Sequence, residues 1–240
     1  MQFHNKSINA VSYHWDFGNG QTSTEENPDV IYDDFGVYFV TLTATPHEEL
    51  HYNNPAKTER LALVGSIFRE DFSDPSLAEN FPPEGWILID LDGDGHNWFW
   101  EDNEAYIADY GYHIISKSWV SATGEVLTPD NWIITPQIDL TERAGAMLEF
   151  DVTTLASGAA FKTEHYAVFI STTGTNEEDF EIVYSETISE DHGQMEWQLR
   201  EIDISGFTGE QIYVAFRHYN STDLWGVSLA NIHIYETAGK

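Results

Sequence analysis

The chain is expected to be all-β, a β-sandwich or jelly roll. Three observations lead there. Val37-Tyr38-Phe39-Val40-Thr41-Leu42-Thr43 alternates with period two in β-branched and aromatic residues, as a half-buried strand does. Similar runs recur at Ile133-Ile134, Met147–Val152, Tyr166–Ile170, Ile212–Arg217 and Ile232–Tyr235, separated by Gly, Asn, Asp and Pro clusters. No segment carries a sustained helical stripe with caps. A boundary is expected near Gly65-Ser66: Arg60–Val64 reads as a closing strand and Phe68–Phe72 opens a new pattern, giving domains 1–65 and 66–240.

Composition narrows the function classes. The 240 residues suffice for one or two domains with a sizeable core. There are 41 Asp+Glu against 10 Lys+Arg, a formal charge of −31 that repels nucleic-acid phosphates and suits a salty exterior or cationic ligands. Cysteine is absent, which excludes disulfides, thiolate catalysis and Cys-zinc sites. No apolar run approaches the roughly 18 residues needed to span a bilayer, and no signal peptide opens the sequence.

The strongest chemical motif is Asp90-x-Asp92-x-Asp94-Gly95, with Glu101 eleven residues after Asp90. Alternating carboxylates aim hard oxygens at one centre, the glycine permits a sharp turn, and a backbone carbonyl near His96 can add a ligand. Pro82-Pro83 and Gly85 preclude an incoming helix, so the expectation is a calcium loop at a strand-to-loop junction rather than an EF-hand. The competing reading is a solvated Asp/Gly turn. His47-Glu48-Glu49-Leu50-His51 matches the zinc-peptidase pattern, but Pro46 and Pro55 confine any helix to about two turns and no third ligand follows. It reads as a loop between strands. No nucleophile elbow, phosphate-cradling loop or glycosidase carboxylate pair is present, so no enzymatic activity is expected. His165 and His218 lie in strand-like runs and read as structural. Trp98, Trp100, Tyr106, Tyr110, Tyr112 and Trp119 crowd one region. If exposed, these rings, Trp98, Trp100 and Tyr112 above all, are candidates for stacking on sugars or a protein partner; otherwise they pack the core.

Two family resemblances follow from particular residues. Tyr13–Gly20 (Tyr-His-Trp-Asp-Phe-Gly-Asn-Gly), Asn27-Pro28, Tyr32, Gly36, Tyr38 and Val40–Thr43 resemble the PKD domain, an immunoglobulin-like spacer of bacterial surface proteins. The match runs over about residues 3–64 and starts at what looks like the family's second strand, Phe3–Ser7, which implies an upstream chain. From residue 68 to 237, Gly85-Trp86, Asp90–Trp98, Pro129–Pro136, Glu164–Val168, Ser171–Gly174, Tyr213–His218 and Asp223 resemble, in order, the cleaved-adhesin domains of gingipains and haemagglutinins. Ser221 stands where that family usually has Cys, and Ala230-Asn231 where it often has an Asp pair. The two resemblances imply an immunoglobulin-like (PKD) partial sandwich followed by a jelly-roll β-sandwich, with host or matrix proteins as partners. Together with the calcium loop, the expectation is a calcium-stabilised adhesion module of a longer, secreted or cell-surface bacterial protein whose partner is a host or matrix protein or a glycan. The alternative is a carbohydrate-binding accessory module, or the non-catalytic tail of a secreted peptidase or glycosidase.

Overall fold

The structure, a computed structural model, describes residues 1–32, 36–46, 55–102, 107–108, 111–154, 156, 161, 163–188 and 196–237. The zinc-peptidase-like segment 47–51 and the rings of Tyr106 and Tyr110 lie outside them. The chain divides into two compact units, Met1–Ser66 and Ile67–Lys240. Both are built of antiparallel strands, as the period-two patterning requires.

The first unit is one sheet of β1 (Ala10–Asp16), β2 (Thr22–Ser23), β3 (Gly36–Pro46) and β4 (Ala56–Val64) in the order β2-β1-β3-β4. Trp15, Phe17, Val30, Val40, Leu42 and Ala62 form its core, with Phe3 packed on the Trp15 and Phe17 rings. The turn after β1 requires glycine. Gly18 has φ +73°, and a Cβ there would lie 2.8 Å from the Phe39 carbonyl oxygen. The expected strand at Phe3–Ser7 is not formed; a single bridge joins Gln2 to Asp29. Side chains take over the ladder's role: Asn27 Oδ1 accepts from the Asn5 N–H and Asn5 Oδ1 from the Ser7 N–H.

The second unit opens with β5 (Ser66–Glu70) and a short helix, α1 (Leu77–Asn80). There follow β6 (Ile87–Asp90), β7 (Phe99–Trp100), β8 (Ile114–Lys117), β9 (Trp119–Val120), β10 (Glu125–Val126), β11 (Asn131–Ile134) and β12 (Ile138–Asp139). The longer strands come last: β13 (Ala146–Thr153), β14 (His165–Ser171), β15 (Glu181–Thr187), β16 (Gln198–Asp203), β17 (Gln211–His218) and β18 (Gly226–Glu236). One sheet runs β15-β14-β17-β11-β6 and the other β16-β13-β18-β8-β7, with β12 joined to β17 and β5 to β18. Side chains of alternate parity meet between them. Ile133, Tyr166, Val168, Val214 and Phe216 come from the first sheet, and Ile114, Leu148, Phe150, Leu229 and Ile234 from the second. Phe150 meets Phe216 and Tyr166 edge-to-face at 5.0 and 6.1 Å.

The two sheets are also tied along one margin by a polar latch. Arg200 of β16 donates two hydrogen bonds to Glu186 of β15, at 2.8 and 2.7 Å, and the Tyr166 and Tyr184 hydroxyls donate to the same carboxylate. Burial pushes the Glu186 carboxyl up, but these four donors, Arg200 foremost, hold it below its ordinary value. Among the described residues no helix is long and apolar enough to cross a membrane.

Candidate cation loop and its buried polar support

The loop leaving β6 is shaped by its own carboxylates. Asp90 Oδ1 accepts from the Gly93 N–H at 2.8 Å and Oδ2 from the Gly95 N–H at 3.0 Å. Asp92 Oδ1 accepts from the Asp94 N–H, and Asp94 Oδ1 from the His96 N–H. The incoming limb is clamped by the segment before β11: Asp130 donates its N–H to Asp92 Oδ2 at 2.9 Å and accepts from the Leu91 N–H at 3.0 Å. Asp130 in turn holds Arg217 through two 2.7 Å bonds, and the guanidinium lies over the Trp132 and Tyr219 rings.

One oxygen from each of Asp90, Asp92 and Asp94 falls within 4.8 Å of the others. Burial pushes the Asp90 carboxyl up; the hydrogen bond shared with Asp92 and the surrounding backbone N–H groups outweigh this and leave it lowered. Asp92 is raised, by burial first and then by the neighbouring Asp90 and Asp94 carboxylates. Three crowded carboxylates of hard-oxygen type fit a calcium ion in donor chemistry.

Other expected ligands fall elsewhere. Glu101 lies outside the aspartate group: the pairing of Phe99 with Ile115 and Trp100 with Ile114 carries the chain inward, so Glu101 is buried and donates its N–H to the His113 carbonyl. The twelve-residue calcium pattern therefore does not close on its last acid. At His96 the expected ligand is a backbone carbonyl; the side chain itself turns to Glu125, 3.7 Å away. Ala230 is buried and Asn231 donates to Asp151 at 2.8 Å, so no carboxylate pair stands in β18 there.

The aromatic cluster is also divided. Trp98 is 2% exposed, its Nε1–H bonded to the Asn131 carbonyl and its ring edge-on to His218, so it is core and not a ligand platform. Trp100 is half-buried and donates to the Phe72 carbonyl at 2.9 Å. Tyr112 stacks on it, centroids 6.1 Å apart and planes 14° from parallel, and is 39% exposed. Trp119 packs against Trp225.

Between the sheets lies a polar network that the motif search missed. Glu164 accepts from Ser118 Oγ at 2.6 Å, the Trp225 N–H at 2.8 Å and His218 Nε2 at 3.0 Å. His218 Nδ1 meets Ser116 Oγ, which also accepts from Asn131 Nδ2. Ser221 Oγ accepts from the His165 N–H and contributes to holding Glu164 low, against the upward push of burial. The connectivity Ser116–His218–Glu164 has the residue types of a nucleophile relay. All three are fully buried, so a substrate has no approach and the network is structural. Glu164 and His218 sit on the inward row of β14, just before its start, and of β17, a parity visible only once strands are registered.

The cleaved adhesin domain model matches residues 73–234 and the PKD domain model residues 2–59. Hemagglutinin A of Porphyromonas gingivalis is 33% identical over 203 residues, 77% of this chain but 7% of that protein. Lys-gingipain of the same species is 37% identical over 169 residues, 65% of this chain and 9% of that protein. The chain thus spans less than a tenth of either relative's length. The crystal structure of the K1 cleaved adhesin domain of Lys-gingipain superimposes with a TM-score of 0.58 at 35% identity, over 71% of this chain and 98% of that one. With the sandwich, the ordered motifs and the family match in agreement, the chain belongs to the cleaved adhesin domain family, with a PKD domain ahead of its adhesin module.

Proposed function

We propose that this chain is a calcium-stabilised, non-catalytic adhesion module of a secreted or cell-surface bacterial protein, with residues 1–65 as a spacer and residues 66–240 carrying the binding surface. The observation that carries the calcium reading is the Asp90, Asp92 and Asp94 oxygens gathered within 4.8 Å on a loop already braced by Asp130. A bound calcium would take oxygens from these three and neutralise their repulsion, ordering the loop that leads into β7. Its partner is a host or matrix protein, or a glycan, reached from a longer multidomain chain.

The test is thermal unfolding of metal-stripped protein in EDTA and in several millimolar calcium. Calcium adds about 2.7 kcal/mol when free ion reaches 100 times the dissociation constant. Extracellular modules bind at about 10⁻⁴–10⁻³ M, so millimolar calcium supplies part of that gain. The wild type is expected to melt higher in calcium, and Asp92→Ala with Asp94→Ala to lose most of the difference. Magnesium should do less, because it demands a tighter octahedral shell. An unchanged melting curve with no calcium heat in calorimetry would reduce the loop to an acidic turn.

The non-catalytic reading has its own check. The purified chain is expected to leave casein uncut with added zinc. Zinc-dependent cleavage that disappears in Glu48→Gln would overturn it.

A further inference from the structure

We propose that the free edge of β6 docks an extended peptide that alternates apolar and basic residues and joins the first sheet as an added strand. The proposal rests on the adhesion-module reading and gives its partner a chemistry.

β6 is the last strand of its sheet. Among the described residues it pairs with β11 alone, in the register Ile87–Ile134, Leu88–Ile133, Ile89–Trp132 and Asp90–Asn131. The Leu91 N–H donates across the same seam to the Asp130 carbonyl. In an antiparallel pair, alternate residues turn both main-chain groups to the same neighbour. Ile87, Ile89 and Leu91 therefore face β11, and the N–H and C=O of Leu88 and Asp90 point away from it. Among the described residues nothing pairs with them on that side.

The side chains are unusual for such an edge. Leu88 packs against the core, so period two sends Ile87, Ile89 and Leu91 to the outer face. Ile87 is 38% exposed, Leu91 is 41% exposed, and Ile89 packs beside Trp132. Among the described residues the buried Trp132 Nε1–H has no acceptor, leaving an unused donor beside this stripe. Edge strands are ordinarily blunted by lysine, proline or outward charge; this one presents three aliphatic side chains in a row. Free ladder groups beside an apolar stripe select an extended strand as the occupant, its alternate side chains lying on the stripe.

Charge selects which strand. Glu84 precedes β6, Asp90 closes it, and Asp92 and Asp94 follow, so carboxylates stand at both ends. A second copy of this chain brings another −31 and is repelled, whereas a basic segment is attracted.

The probe is a fluorescein-labelled Lys-Val-Lys-Val-Lys-Val peptide titrated with the full chain in EDTA, where the Asp90, Asp92 and Asp94 carboxylates keep their charge. Its controls are the block isomer Val-Val-Val-Lys-Lys-Lys and an alternating peptide N-methylated at every second amide. The alternating peptide is expected to bind at least about tenfold more tightly than either control. Ile87→Lys with Leu91→Lys should weaken it by a similar factor while the melting temperature holds. Should that variant fail to fold, Ile87→Thr with Leu91→Thr carries the same test. Equal affinity for the block isomer would mean that net charge alone attracts the peptide and would overturn the proposal. So would equal affinity for the N-methylated peptide, no binding at all, or variants that bind like wild type. Sedimentation showing self-association lost in the lysine variant would give the edge to a second copy, also against the proposal. Peptide binding at β6 without any matrix-protein or glycan binding would sink only the adhesion reading.

Discussion

Glu164→Ala should lower the stability of the adhesin unit by about 3–5 kcal/mol, because it strips several buried donors of their shared acceptor at about 1–3 kcal/mol each. Glu164 and His218 are both fully buried, and the carboxylate is the common acceptor for His218 Nε2, Ser118 Oγ and the Trp225 N–H. Truncation leaves three buried donors without their acceptor. For a unit of this size the melting temperature should fall on the order of 10 °C. Glu164→Gln keeps an acceptor and should cost less. Glu164→Met with His218→Leu removes the His218 donor as well and should recover about one group's share of the loss, the Ser118 and Trp225 donors staying unpaired. The same carboxylate sets a pH limit. Its folded value lies below its unfolded one, held there by His218 and the hydroxyl donors against burial. Its contribution is therefore full above the unfolded value of about 4.3 and is lost as pH falls through the folded value. A denaturant midpoint for Glu164→Ala within about 1 kcal/mol of wild type, or an acid profile that the mutation leaves unaltered, would show the network to be dispensable.

Trp98→Ala is the second large effect, expected at about 3–5 kcal/mol for the loss of a buried indole and the cavity left behind. The residue is 2% exposed, packs in the main core, and donates to the Asn131 carbonyl at 3.1 Å. That carbonyl belongs to β11, the strand that pairs with β6 and so positions Asp90. Part of the damage should therefore reach the aspartate loop as weaker calcium stabilisation. Tyr112→Ala removes a half-exposed ring stacked on Trp100 and should cost about 1 kcal/mol or less beyond its small burial. The pair of variants separates core from surface in the aromatic cluster by equilibrium unfolding alone. A Trp98→Ala protein as stable as Tyr112→Ala would return Trp98 to the list of surface rings.

The strand runs Val37–Thr43, Met147–Val152, Tyr166–Ile170, Ile212–Arg217 and Ile232–Tyr235 could be read directly, because burial of one or both faces writes β-branched and aromatic residues into the sequence. Strands β15 and β16 could not. They are sheet edges, rich in Glu, Ser, Gln and Asp, paired among the described residues on one side only, to β14 and β13, and the Arg200–Glu186 latch ties them to each other across the sheets. The same limit applies to the candidate site. Asp90, Asp92 and Asp94 lie within five residues, so local spacing alone brought them together.

Glu101 was placed by spacing on the same loop, but spacing carries no information about β7, whose pairing with β8 turns that acid toward His113. Trp98 and Tyr112 look alike in one dimension; the register of β11 and the stacking on Trp100 decide that one is core and the other surface. The sequence by itself determined the all-β class, the domain order and the local carboxylate cluster, all set by neighbours along the chain. Only the tertiary structure decided the Glu164–His218 network, the brace from Arg217 through Asp130 to Asp92, and the bare edge of β6. Those depend on contacts between residues tens of positions apart, where the cost of burying a polar group is settled by which distant partner the register supplies.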